Sequence, residues 1–472
     1  EGVALKRSPK EAASCLHPTV GGLADHRLTK EKAKVKRLLP RLGDLMLLLF
    51  LLWGGQLTAQ PIHRIGKAMP GADSILPQPY LALTNANVLD VRTGEILENR
   101  TVVLQDGLIQ SITTGAPPQG ADVQNVNGYY MLPGFFDGHF HGRTLDAAQF
   151  ALESGVTTVL SAGAYGMQDM TFRDAVTAGY FPGPDMLAAG VFVLRHLGDN
   201  ALEDPRLFKF MNVELEGAEN LRRVVQVNFE RGVDWIKTRV GGNTAAGVAD
   251  AYWLYYTEEE VAAMADKAAR YGGKIQCHIQ SGDAAIVAAR AGCATLEHGQ
   301  YINEEALRVM RELGTVWTPT YISTEGFALP HDDYNTPTAR RVAPWILENQ
   351  RRMLRTAHEL GVTMVTAVDT PYGPESVARL AGEINAFIDY GGMTPLEAIQ
   401  AATITSAEVY GLDGMTGSIE EGKEADIVLF ERNPLEEPLN LHNAMMVISN
   451  GRIAVPFRSA FPGLNGRPDR SY

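Results

Sequence analysis

Between residues 134 and 412, short β-branched or apolar runs alternate with amphipathic helical stretches, and this alternation limits the architecture more than any other feature. GVTTVL (155–160) reads as a strand, and TEEEVAAMADKAARYGG (257–273) as a helix opened by a Thr257/Glu260 capping box and closed on glycine. KIQCHI reads as the next strand, followed by a helix at 283–291, the strand CATLEHG, an amphipathic segment at 338–360, the strand VTMVTAVD, and helices at 376–390 and 395–409. Strand-then-helix repeats over so long a span fit a closed (β/α)8 TIM barrel better than an open sheet. No glycine-rich dinucleotide fingerprint interrupts them.

The flanks have a different texture. LALTNANVLDVRTGEILENRTVVLQDGLIQSI (81–112) places short β-rich runs around the turn sequences RTGE and QDG, and the pattern returns at ADIVLF (425–430) and MMVISNGRIAV (445–455). The expected organisation is a small β-sandwich domain built from both ends, residues 61–133 and 413–460. The barrel at 134–412 is inserted into it, and a tail follows at 461–472.

Residues 1–60 carry ten Lys or Arg against five Asp or Glu, whereas the whole chain has a net charge of −13, so the body is acidic. An acidic body without interleaved basic and aromatic residues argues against a nucleic-acid partner. The basic start leads into LMLLLFLLW (45–53), too short for a membrane span and suited to the apolar part of a secretory signal. Cleavage is expected after Ala59 or Gln60, leaving an exported protein without a stable membrane anchor. Translation is expected to start at Val35, because Met46 lies inside the apolar run. Of the three cysteines, Cys277 and Cys293 belong to the body, and their apolar surroundings read as buried free thiols.

In a barrel of this kind the chemistry sits at the C-terminal ends of the strands. His139 and His141, two apart in PGFFDGHFHG, share one strand face, with Phe140 on the other. Lys237 closes VDWIK in an apolar strand where a charged amine is costly unless paired or modified. His278 ends KIQCH, His298 ends ATLEH, and Asp369 ends VTMVTAVD. Nitrogen and oxygen donors without thiolates at the ends of five strands suit zinc or a similar first-row ion.

PGFFDGHFHG, DWIKTRVGG, QCHI, LEHG, TAVD and GSIEEGKEADIVLFERNPL, in this order, resemble the amidohydrolase superfamily of metal-dependent hydrolases. The lysine strand with its Gly-Gly is most similar to the prolidase-like branch of Xaa-Pro dipeptidases, carboxypeptidases and N-acyl amino acid hydrolases. The resemblance implies two divalent ions, zinc being the expected metal. His139, His141 and Asp369 would hold the first, and His278 and His298 the second. Lys237, carboxylated by CO₂, would bridge them. It also implies a metal-activated hydroxide as nucleophile, Asp369 as the proton carrier, a dipeptide or other small-molecule substrate, and a fold compatible with a homo-oligomer. His196 resembles a substrate-contacting histidine of relatives, although Leu194 and Arg195 stand where those have glycines, which makes Arg195 a candidate carboxylate partner. Tyr301 is a further candidate for the mouth. LSAG (160–163) and Val240 also depart from the relatives' pattern, leaving substrate identity open. Lactone, carbamate or phosphoester hydrolysis, a mononuclear imidazolonepropionase-like cyclic amidase and an inactive binding barrel remain the alternatives.

Overall fold

The computed structural model describes residues 80–456 except 243–249, 330–332, 374–375 and 377. The expected signal segment, the Val35 start and the tail at 461–472 lie outside the described residues. Strands β1 (Leu81–Leu89), β2 (Ile96–Gln105) and β3 (Leu108–Thr113) form an antiparallel meander, and β4 (Asp122–Asn125) and β5 (Tyr130–Pro133) pair parallel to β1. The β2–β3 turn places Asp106 and Gly107 at φ 53° and 82°, the left-handed pair that a two-residue hairpin requires. From the other end of the chain come β13 (Ile427–Phe430), β14 (Met446–Ser449) and β15 (Arg452–Val455), with β13 antiparallel to β5. One eight-stranded sheet thus takes strands from both flanks, in the order β15-β14-β13-β5-β1-β2-β3 with β4 on β1.

The two-residue period of β13 decides what each face does. Ile427 and Leu429 join Leu83, Leu104, Met131 and Ile448 in a core belonging to this sheet alone. Val428 and Phe430 face the other way and enter the large core of the α/β region, where Phe430 stacks on Phe135 at 6.0 Å.

That region begins with β6 (Phe135–Phe140), α1 (Leu145–Glu153), β7 (Val156–Ser161), α2 (Gln168–Thr177), β8 (Asp185–Leu187), α3 (Ala218–Arg231) and β9 (Ile236–Arg239). It continues with α4 (Glu258–Ala269), β10 (Ile275–Ser281), α5 (Gly282–Arg290), β11 (Thr295–Tyr301), α6 (Glu304–Leu313) and β12 (Val316–Thr318). Five further helices, α7 (Tyr321–Gly326), α8 (Pro337–Leu360), α9 (Leu380–Asp389), α10 (Pro395–Ala401) and α11 (Ile404–Tyr410), complete it. The Thr257/Glu260 capping box opens α4 as expected.

All pairings are parallel, but the strands form two sheets, β6-β7-β8 and β12-β11-β10-β9, that do not close into one. Between β12 and β6 runs VTMVTAVD, expected as a strand and seen instead as an extended segment without a ladder. Its Val365 N–H donates to the Trp317 carbonyl at 3.1 Å, and its Thr366 carbonyl accepts from Gly138 N–H at 3.0 Å. At the other gap Val193 N–H donates to the Lys237 carbonyl at 2.9 Å. Two helices also differ from expectation: α9 starts only at Leu380, and the stretch at 395–409 breaks at Thr403, whose φ −132° and ψ −101° are not helical.

The free-thiol expectation is corrected: Cys277 in β10 and Cys293 just before β11 are disulfide-bonded, with Cα atoms 6.1 Å apart. A separation of 16 residues is one strand–helix–strand return, which lays the two positions side by side. Replacing both with alanine is expected to lower stability by about 3 kcal/mol, the loop-closure value for so short a loop. Denaturant unfolding of the oxidised protein against the double variant measures it, and equal midpoints would contradict the cross-link.

Candidate metal centre

His139 sits one residue before the end of β6, is 1% exposed, and is fixed from two sides. Its backbone N–H donates to Asp137 Oδ1 at 3.0 Å, and its ring Nδ1 lies 2.6 Å from Glu297 Oε2. With Nδ1 on Glu297, Nε2 faces the cavity and stands 3.5 Å from Asp369 Oδ1. His141, just past the strand, brings its Nε2 to 3.2 Å from the same oxygen. Phe140 points into the core against Tyr372, ring centroids 5.4 Å apart.

His278 and His298, from the neighbouring strands β10 and β11, have ring centroids 4.4 Å apart, and His298 is 4.5 Å from His139. His298 Nδ1 is 2.8 Å from Thr320 Oγ1 and 3.6 Å from Asp369 Oδ2. His298, Thr320 and Asp369 all have positive φ (70°, 49° and 57°), backbone strain of the kind that concentrates at functional sites. Asp369 Oδ1 accepts from the Tyr334 hydroxyl at 2.9 Å, and Oδ2 accepts from Ser323 Oγ at 3.3 Å.

Lys237 lies on β9 with its side chain fully enclosed. Its Nζ has no hydrogen-bond partner and stands 3.7 Å from Glu297 Oε2, ion-pair distance but too long for a hydrogen bond. Burial lowers this amine to about 8 and raises Glu297 to about 7. Burial likewise holds His139 and His278 well below the usual imidazole value and His298 at about 3. All three rings are neutral near pH 7, with lone pairs available to a metal. Burial opposes ionisation of Asp369, but contacts with His141, His298 and Tyr334 outweigh it and keep its carboxylate below the ordinary range.

His139, His141, Lys237, His278, His298 and Asp369 line one cavity, which Arg239, Gln280, Gln300, Phe192, Phe327 and Tyr334 complete. The cavity they enclose has a volume of about 90 Å³. His139, His298 and Asp369 have donor atoms close enough to share one ion. The donor set fits the implied metals, since neutral imidazoles and a carboxylate surround a buried amine that makes no hydrogen bond.

The three candidates for substrate contact do not line this cavity. Arg195 is taken up by Glu214 at 2.8 Å, by Glu216 and by the Tyr255 carbonyl at 3.0 Å. The His196 side chain is 69% exposed and faces Glu214. Tyr301 packs on Tyr252, ring centroids 6.0 Å apart. Sequence reasoning passed over Glu297, Asp137 and Arg239. The first two stand inside LEHG and FFDGH, where an acid in an apolar strand demands a buried partner. Asp137 meets that demand by accepting from the His139 and Val368 N–H groups, both at 3.0 Å, and from the Tyr372 hydroxyl at 2.9 Å, which ties β6 to the segment carrying Asp369.

Glu297→Ala removes the acceptor that orients His139. It is expected to weaken metal binding about 10- to 100-fold, read by competition with a chromogenic chelator. Unchanged affinity would make the contact merely structural.

Residues 130–454 match the family model described as the Amidohydrolase family. Ochratoxinase of Aspergillus niger is 25% identical over 398 residues, covering 75% of this chain and 81% of its own. A Xaa-Pro dipeptidase structure with bound methionine superposes with a TM-score of 0.71 at 24% identity, over 79% of this chain and 99% of that one. A prolidase complexed with N-methylphosphonate-L-proline gives 0.69 at 25% identity, over 80% and 100%. Fold, donor set and relatives define a metal-dependent hydrolase of carbon–nitrogen bonds. The chain belongs to the amidohydrolase family and stands in its prolidase-like branch.

Proposed function

We propose that the protein is an exported, binuclear amidohydrolase that cleaves the amide bond of a dipeptide, Xaa-Pro or similar, or of an N-acyl amino acid. The observation that carries this reading is Lys237, a buried amine without a hydrogen-bond partner among four imidazoles and Asp369. His139, His141 and Asp369 would hold one zinc ion, and His278 and His298 the other. Lys237, once carbamylated, would add oxygen donors for the pair. When bound, the ions supply a water acidic enough to be a nucleophile at neutral pH and polarise the scissile carbonyl.

Carbamylation needs the neutral amine, which adds to CO₂ and releases a proton, so an amine lowered to about 8 is prepared for it. Asp369, ionised and steadied by the Tyr334 hydroxyl, takes a proton at its carboxylate and delivers it to the leaving nitrogen. Phe192 and Phe327 give the cavity apolar walls that limit water. The two parallel sheets work as one closed eight-stranded barrel, and the Cys277–Cys293 disulfide supports an oxidising compartment.

Two experiments test the reading. Hydrolysis of dipeptides and N-acyl amino acids is expected to exceed that of lactones and phosphoesters, and the reverse order would overturn the substrate assignment. Reactivation of metal-free protein by zinc at a fixed concentration of dissolved CO₂ is expected to speed up as pH rises towards about 8 and to level off above it, because the fraction of neutral Lys237 rises there. A rate independent of CO₂ would count against the carbamate.

A further inference from the structure

Arg239 is the last residue of β9, two beyond Lys237, so strand periodicity turns both side chains to the same face and into the cavity. Its Nε is buried without a hydrogen-bond partner, and among the described residues no carboxylate lies within ion-pair distance of its guanidinium. Other arginines of the α/β region are partnered: Arg173 by Asp234 at 2.7 Å, Arg195 by Glu214 at 2.8 Å, and Arg351 by the Tyr321 hydroxyl at 2.7 Å. Arg239 instead lies between two ring faces, its guanidinium carbon 5.7 Å from the Phe192 centroid and 6.0 Å from that of Tyr255. Aromatic flanks orient a guanidinium while leaving its N–H groups free, and a planar fork of donors matches a carboxylate.

We infer that Arg239 is the specificity residue that holds the free carboxylate of the substrate's amine half, so that the preferred substrates are amides whose leaving group is an unblocked amino acid. The inference rests on the amide reading above and sharpens it. In such a substrate one carbon separates the scissile nitrogen from the carboxylate, so the negative charge arrives beside the reacting bond. Two residues along β9 set Lys237 and Arg239 about 6.6 Å apart, a matching scale. The expected Arg195 contact thus passes to a residue whose guanidinium has no carboxylate of its own. Esters and amides of the same amino acids, lacking the charge, would leave the Arg239 guanidinium without a carboxylate.

The test uses the metal-loaded protein, the N-methylphosphonate of L-proline and the corresponding prolinamide, with binding read calorimetrically and ions counted on each sample. Wild type is expected to bind the carboxylate form about 100-fold tighter. Arg239→Met is expected to reduce that preference to about threefold or less without losing ions, and Arg239→Lys to restore part of it, the point charge without the fork. Equal binding of the two ligands by wild type, binding of neither, or full discrimination by Arg239→Met overturns the inference. Hydrolysis is scored separately. A wild type that cleaves no amide although loaded with ions defeats the amide reading, and the binding comparison still decides the role of Arg239.

Discussion

Asp369→Asn is expected to lower kcat/KM about 10³-fold, within the range that a positioned proton carrier supplies. The substitution keeps the shape of the side chain, its acceptor for the Tyr334 hydroxyl and the backbone bond from Asp369 N–H to the His139 carbonyl at 3.1 Å. It removes the ionised oxygen that takes the proton. The surroundings hold this carboxylate ionised, so the wild type keeps its base at neutral pH and loses it only well into acid. Steady-state kinetics on samples of known ion content measure the effect. A loss under about tenfold with ions retained would move proton transfer to another group.

Lys237→Met is expected to cost about 10³-fold or more in activity and to reduce bound metal, since several kcal/mol of charge stabilisation depend on a bridge that methionine cannot form. Counting ions on each sample separates loss of metal from loss of chemistry, and a variant that keeps both its ions and its activity would make Lys237 a structural residue. In Lys237→Ala the vacated space accepts a short carboxylate, so propionate is expected to restore part of the activity.

The parts legible in the sequence were those governed by local periodicity. The β-rich run at 425–430 and the turn at Asp106–Gly107 reported the sheet, and the spacing of His139 and His141 reported a shared face. Lys237, His278 and His298 were expected at strand ends, and the structure brings them with Asp369 into one cavity. What escaped depends on partners distant in the chain. Glu297 matters through His139, 158 residues away, and Asp137 through Val368, 231 away. Arg195 read as available because Glu214 and Glu216 lay too far along the chain for any pattern to link them. Asp369 stood out at the end of an apolar run, but its segment lacks a ladder because backbone bonds to Trp317 on one side and to Gly138 and His139 on the other replace one. The disulfide was missed for a related reason, since a separation of 16 residues becomes a side-by-side contact only once the strand–helix–strand unit has returned.

If Lys237, four histidines and Asp369 hold a carbamate-bridged metal pair, the ion content of each chain must show it, measured on protein purified without chelator and with bicarbonate present, beside Lys237→Met. About two ions per wild-type chain are expected, with a clear loss in the variant. One ion, unchanged by the substitution, or none at all would contradict it.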